Sequence, residues 1–218
     1  MAQFLINTSW DGWNCDRVFI PWVPKLHLGH EHLDNLQVPS EYVLGGIGKG
    51  RAHLFEGLVV ERIMIATQNI CECFNALAHA TIYSNMRKQF NQPIIQFQGV
   101  GLSLAELYSK TLTQFYGLLK FCQDYDKLTE KHGSEHAIPQ HIARTLVPIA
   151  SSFKYNCADL SKTICYEAAN LMGGAGLCDN TLMHNLVNIS RIQEIVGGSR
   201  QIQLYIISGA LKSLFKGL

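Results

Sequence analysis

A chain of 218 residues that is 47% hydrophobic and 16% charged has enough apolar content to bury a core, which excludes a disordered segment. Its formal net charge of +1 gives no basic excess for holding a nucleic acid or an anionic membrane surface. No apolar run reaches the ~18 residues of a membrane span. The opening MAQFLINTSWDGWNCD lacks the basic stretch and long apolar core of a signal peptide. Cys15, Cys71, Cys73, Cys122, Cys157, Cys165 and Cys178 are odd in number and sit mostly in apolar segments, a pattern of free thiols in a reducing compartment.

From Met1 to about Gly50 the chain is rich in aromatic, β-branched and turn-forming residues. FLINTSW, RVFIPWV and KLHLGHEHL read as short strands separated by Asp-Gly, Pro and Gly. Such a piece is marginal alone in water, so it is expected to complete a sheet supplied by another chain. After GGIGKG the periodicity becomes helical. A first helix is expected over about 51–86, with Leu54, Leu58, Glu61, Ile65 and Ile70 near one stripe. A second should run from about Ile95 to Leu128, and a third from Gln140 to Met172, stopped by GGAG. Asp179 can cap a short helix, and a last helix is expected from about Ile192 to Leu214. The expected fold is mainly α, a four-helix bundle over 51–218 preceded by a small incomplete β segment over 1–50.

Two weaker signals carry no chemistry of their own. His27, His30 and His32 lie near a strand, but no cysteine or second cluster completes a metal site, so no metal is expected. GGIGKG has no Ser or Thr after its Lys, so it is not a triphosphate loop.

Five pieces, in order, resemble the acyl-CoA dehydrogenase family. LDNLQVPSEYVLGGIGKG resembles the exit from that family's β domain, and LVVERIMIA the start of its first bundle helix. MRKQFNQPIIQFQ, ANLMGGAG and GGSRQIQ resemble three further motifs of its C-terminal four-helix domain. The resemblance covers about Leu33 to Leu214, without the N-terminal helical domain and most of the β domain. It implies an FAD site shared between subunits, and a second polypeptide supplying the front portion, in a dimer of heterodimers. It implies acyl-CoA as substrate and α,β-desaturation as the reaction. It further implies a mitochondrial matrix location in a eukaryote, and the cytoplasm otherwise.

That reaction needs a carboxylate in a dry pocket to take the α-proton. In many family members this Glu precedes the Gly-Thr of the last motif, where this chain has Gly197. Members similar to isovaleryl-CoA dehydrogenase place it on the first bundle helix, which makes Glu61 the implied base and its neighbour Arg62 the implied substrate contact. The resemblance assigns cofactor contacts to Arg87, Phe90, Gln98, Asn170, Gly173, Gly174, Ser199 and Gln201. Arg suits a pyrophosphate and an aromatic ring suits adenosine. Departures also stand out: Asn91 replaces a family Gly, Asn170 a Gln, and Asn188 and Ile189 an Arg-Asp pair. They imply the alternative of a decayed member, kept as a structural subunit of a larger complex such as a mitochondrial one.

Overall fold

The computed structural model describes residues 1–214, without the side chains of residues 51–53, 55, 56 and 136. It divides into two compact units, Met1–Leu58 and the residues from Val59 onward.

In the first unit β1 (Gln3–Phe4) pairs antiparallel with β4 (Val43–Leu44). The hairpin of β2 (Trp13–Val18) and β3 (Leu28–Leu33) aligns Asn14 with His32 and Asp16 with His30. These strands are shifted from the expected segments. RVFIPWV is strand only to Val18, because the prolines of 19–24 donate no amide and the chain turns with Val23 N–H donating to Ile20 O. Gly12, at φ +92, closes against the Asp34 carbonyl, where a Cβ would collide. Every residue of β3 is exposed. His32 Nε2 meets Asp16 Oδ2 at 3.0 Å, and the His30 and His32 rings stand 4.5 Å apart. No group of three or more metal-ligating side chains occurs among the described residues.

The helices are α1 (Gly50–Met86), α2 (Gln98–His132), α3 (Gln140–Met172), α4 (Met183–Gln193) and α5 (Arg200–Leu214). A tight hairpin, β5 (Lys88–Gln89) with β6 (Gln92–Pro93), joins α1 to α2. Small side chains set the packing of the second unit. Ala66, Cys73, Ala76 and Ala80 of α1 and Cys157, Ala158, Cys165 and Ala168 of α3 are buried with Ile70, Leu77, Leu104, Ile164 and Met172. Spaced three and four apart, they form one stripe per helix and let the backbones approach closely. Leu54 and Glu61 lie off the α1 stripe and are exposed; Arg62 and Asn69 occupy it instead. No helix among the described residues is long and apolar enough to cross a membrane.

Two helix expectations need correction. Ile94–Gln96 forms a single 3-10 turn after Pro93, so α2 starts at Gln98 and continues past Leu128 to His132, where Gly133 caps it at φ +80. The last helix starts at Arg200 rather than at about Ile192, which with Gln193 ends the shorter α4. Gly197 and Gly198, at φ +64 and +99, turn the chain between Gln193 and Arg200. A left-handed pair of residues cannot continue a right-handed helix.

Candidate active site

Glu61 sits on an exposed face of α1, not in the dry pocket expected around the base. The turn between α4 and α5 passes over it so closely that a Cβ built on Gly197 would lie 3.6 Å from Glu61 Oε1 and would collide with Ile65 Cδ1. The absence of a side chain at 197 therefore leaves room for the Glu61 carboxyl and Ile65. The two positions that could supply a base, one on the first helix and one on the last motif, converge on one place.

The turn is held from below. Lys154 of α3 is only 1% exposed, and its Nζ donates to Glu194 O and to Gly198 O, each at 2.8 Å. Gln203 of α5 is fully buried, and its Nε2 donates to Gly197 O and Gly198 O at 2.9 Å. Burial brings the Lys154 ammonium down to about 8; Glu194 and Glu61 favour the charge and Arg62 opposes it. Arg62 is 2% exposed, and its Nε and Nη1 have no hydrogen-bond partner among the described residues. Burial lowers its pKa, partly offset by Glu61. The structure thus places Arg62 inside the bundle rather than on an open face. Around the turn, Glu194 pairs with Lys162 and Arg191, while Arg200 donates to Asp159 and lies over the Tyr155 ring.

Ser199 and Gln201 lie beside this turn, at the start of α5 and level with the middle of α3. The other implied cofactor contacts gather where α1 ends, α2 begins and α3 ends. From Lys154 to Met172 the distance along α3 is about 27 Å, at about 1.5 Å per residue. Arg87 follows α1, is exposed, and forms no ion pair among the described residues. Phe90 is 88% exposed, with only an edge contact to Phe97 at 6.1 Å. Phe90 and Asn91 have φ of +49 and +64, the two left-handed residues of a primed hairpin turn. Such a turn favours Asn-Gly, so a Phe there keeps an aromatic ring in solvent at the cost of a strained backbone, a pattern found at ligand sites. Gln98 opens α2, where free amides and the helix dipole favour an anion.

Gly173 and Gly174 face open space, and Gly173 takes φ +59 to end α3. A Cβ at Gly176 would collide with Ala169 O, so that glycine serves the chain's own close packing. Asn170, Gly173 and Gly176 line a cleft of about 450 Å³ with Tyr166, His184 and Asn188. His184 Nδ1 is buried there without a partner among the described residues. Exposed contacts, open space beside the glycines and an unpartnered arginine fit a dinucleotide at this end.

Sequence reasoning did not single out Lys154, Gln203 or Glu72. Lys154 carries a signal: it stands four residues after Ala150 and three and four before Cys157 and Ala158, in the middle of a buried stripe. Glu72 is half-buried, accepts a hydrogen bond from Ser161 Oγ at 3.0 Å, and is pushed up to about 7 by burial.

The family model for the acyl-CoA dehydrogenase C-terminal domain matches residues 48–212. The caffeyl-CoA reductase-Etf complex subunit CarC of Acetobacterium woodii is 27% identical over 179 residues, covering 82% of this chain and 43% of that protein. The short-chain-specific acyl-CoA dehydrogenase of Megasphaera elsdenii is 25% identical over 177 residues, covering 81% of this chain and 42% of that protein. Among solved structures, the FAD-complexed acyl-CoA dehydrogenase of Bacillus anthracis aligns with a TM-score of 0.89 at 23% identity, over 99% of this chain and 38% of that one. Butyryl-CoA dehydrogenase from Megasphaera elsdenii gives 0.83 at 23% identity, over 96% of this chain and 51% of that one. At that identity the structural likeness shows the fold. The chain spans less than half the length of these two curated relatives. A family match over residues 48–212, on a bundle with the expected helices, places this chain in the acyl-CoA dehydrogenase family through its C-terminal helical domain.

Proposed function

We propose that this chain is the C-terminal-half subunit of a split, FAD-dependent acyl-CoA dehydrogenase. A second polypeptide supplies the N-terminal helical and β domains, in a dimer of heterodimers. The observation that carries this reading is the meeting of Glu61 and Gly197: the carboxylate stands where a base on the last motif would also stand. The implied cofactor contacts also fall into two groups, one at the turn that Lys154 holds and one beyond Met172, positions about 27 Å apart along α3, which supports it further. Each chain then gives Ser199 and Gln201 to one flavin, and Arg87, Phe90, Gln98, Asn170, Gly173 and Gly174 to another.

Glu61 removes the α-proton of the acyl thioester. The Cα–H bond breaks, the proton passes to a Glu61 carboxylate oxygen, and the electron pair becomes the new Cα=Cβ bond as hydride leaves Cβ. The chemistry supplied by bound FAD is acceptance of that hydride. Arg62 keeps a buried positive charge beside Glu61, and Gly197 leaves the carboxyl unobstructed. On this reading the segment over 1–50, whose strand β3 is exposed along its whole length, completes the partner's sheet.

The test is a tagged full chain expressed in its own host and purified with the proteins it retains. We expect a front-half partner, bound flavin, and bleaching of the flavin absorbance by one of butyryl-, isovaleryl- or palmitoyl-CoA. Glu61→Gln should slow that bleaching by roughly 100-fold or more. Bleaching at the wild-type rate in Glu61→Gln removes Glu61 from the role of base. The replacement of family residues by Asn91, Asn170, Asn188 and Ile189 favours a second reading, a decayed structural subunit of a larger complex. A colourless, fully assembled complex would select it.

A further inference from the structure

We propose that Lys154 is a positioning residue which, together with Gln203, clamps the Gly197–Ser199 turn against Glu61 and so fixes the carboxylate for proton removal. The inference rests on the reading of Glu61 as the base.

Two buried side chains make four hydrogen bonds here, three to Gly197 and Gly198 within the turn and one to Glu194 just before it. Lys154 Nζ spans it from Glu194 O to Gly198 O, and Gln203 Nε2 bonds Gly197 O and Gly198 O. The turn needs such support because its two glycines have positive φ and the greatest conformational freedom of any residue. A lysine that is almost wholly buried costs more than an apolar residue of the same length, yet it stands in the middle of the α3 core stripe. Among the described residues its hydrogen bonds go only to main-chain carbonyls, so its role is to hold backbone, not to pair with a carboxylate. The charged groups facing it are Glu61 and Arg62 from α1 and Glu194 from the end of α4. Movement of the turn would move the wall beside Glu61 Oε1, which lies 3.6 Å from the Gly197 Cβ position.

The test uses the complex described above, carrying Lys154→Met, Lys154→Arg or Gln203→Met. Lys154→Met keeps the apolar stem and removes the donor. We expect its bleaching rate constant to fall roughly 10- to 100-fold, the scale of a displaced reacting group. Flavin content and the acyl-CoA concentration for half-saturation should stay within about twofold, which marks loss of chemistry rather than of binding. Lys154→Arg should recover most of the rate, and Gln203→Met should show a smaller loss of the same kind. Amide exchange at Ile195, Val196 and Gln203, whose N–H groups bond to Ile192 O and Ser199 O at the two sides of the turn, should quicken in Lys154→Met while the interior amides of α3 keep their protection. Unchanged exchange in the turn overturns the clamp, whatever the activity. A rate loss matched by an equal loss of flavin overturns the positioning role. Wild-type bleaching in Glu61→Gln instead refutes the base, and the exchange measurement still decides the clamp.

Discussion

Gly197→Ala is a direct probe of how the turn meets α1. The added methyl must tolerate φ +64, which costs an L-residue about 1–2 kcal/mol. It would also be driven into Ile65 Cδ1, the end of a flexible arm that can swing aside for about 0.5–1.5 kcal/mol of rotamer strain. Together these predict a loss of about 2–3 kcal/mol, or roughly 4–12 °C in Tm for a chain of this size. Ile65→Val removes the colliding methyl and alone should cost about 1 kcal/mol. Because the two sites touch, the double variant should lose less than the sum, by about 1 kcal/mol. Urea melts of the four full-length forms measure the coupling. Additive losses would show that position 197 does not meet Ile65, and the convergence of Gly197 on Glu61 would fall with that contact.

Other outcomes follow from the same geometry. Burial pushes the Glu72 carboxyl up to about 7 from an ordinary value near 4.5, with Cys73 and Cys165 as its titratable neighbours. Between those values the folded chain keeps a proton that the unfolded chain has released, so stability should fall as pH rises from 4.5 to 7 and level off above. In urea melts across that range Glu72→Gln should flatten this component; an unchanged slope would assign it to other groups. Phe90→Ala should leave Tm almost unchanged, because the ring is 88% exposed. On the proposed reading it should weaken flavin retention roughly 3- to 10-fold, the scale of about 0.5–1.5 kcal/mol for a stacked aromatic ring. Equal flavin retention would leave the ring without a ligand.

The long helices were legible because their signals are local. The third helix has its expected bounds, Gln140 to Met172, since its small and apolar residues repeat at helical spacing and a glycine run stops it. The break between α4 and α5 was not legible as a break. Ile192 to Leu214 keeps an apolar pattern through Ile195, Val196 and Ile202, and only the backbone shows that Gly197 and Gly198 turn there. The end of β2 was not legible for a similar reason: Phe19 and Ile20 look like strand residues, yet the chain turns after them through Val23 N–H to Ile20 O and Leu26 N–H to Val23 O. Of the site, the residue types were readable from motif order. The meeting of Glu61 with Gly197 was not, because it joins positions on opposite sides of the whole bundle sequence. The role of Lys154 was not legible because a charge within an apolar stripe has no local explanation; its partners are carbonyls forty and more residues away.

The opposed placement of the two contact groups has a genetic consequence. If each coenzyme draws on the near end of one copy and the far end of another, a defect at Glu61 and a defect at Arg87 damage different components of a shared centre. Two inactive alleles, one with each lesion, would then restore part of the activity when expressed together, because some mixed assemblies would contain a centre with both intact halves.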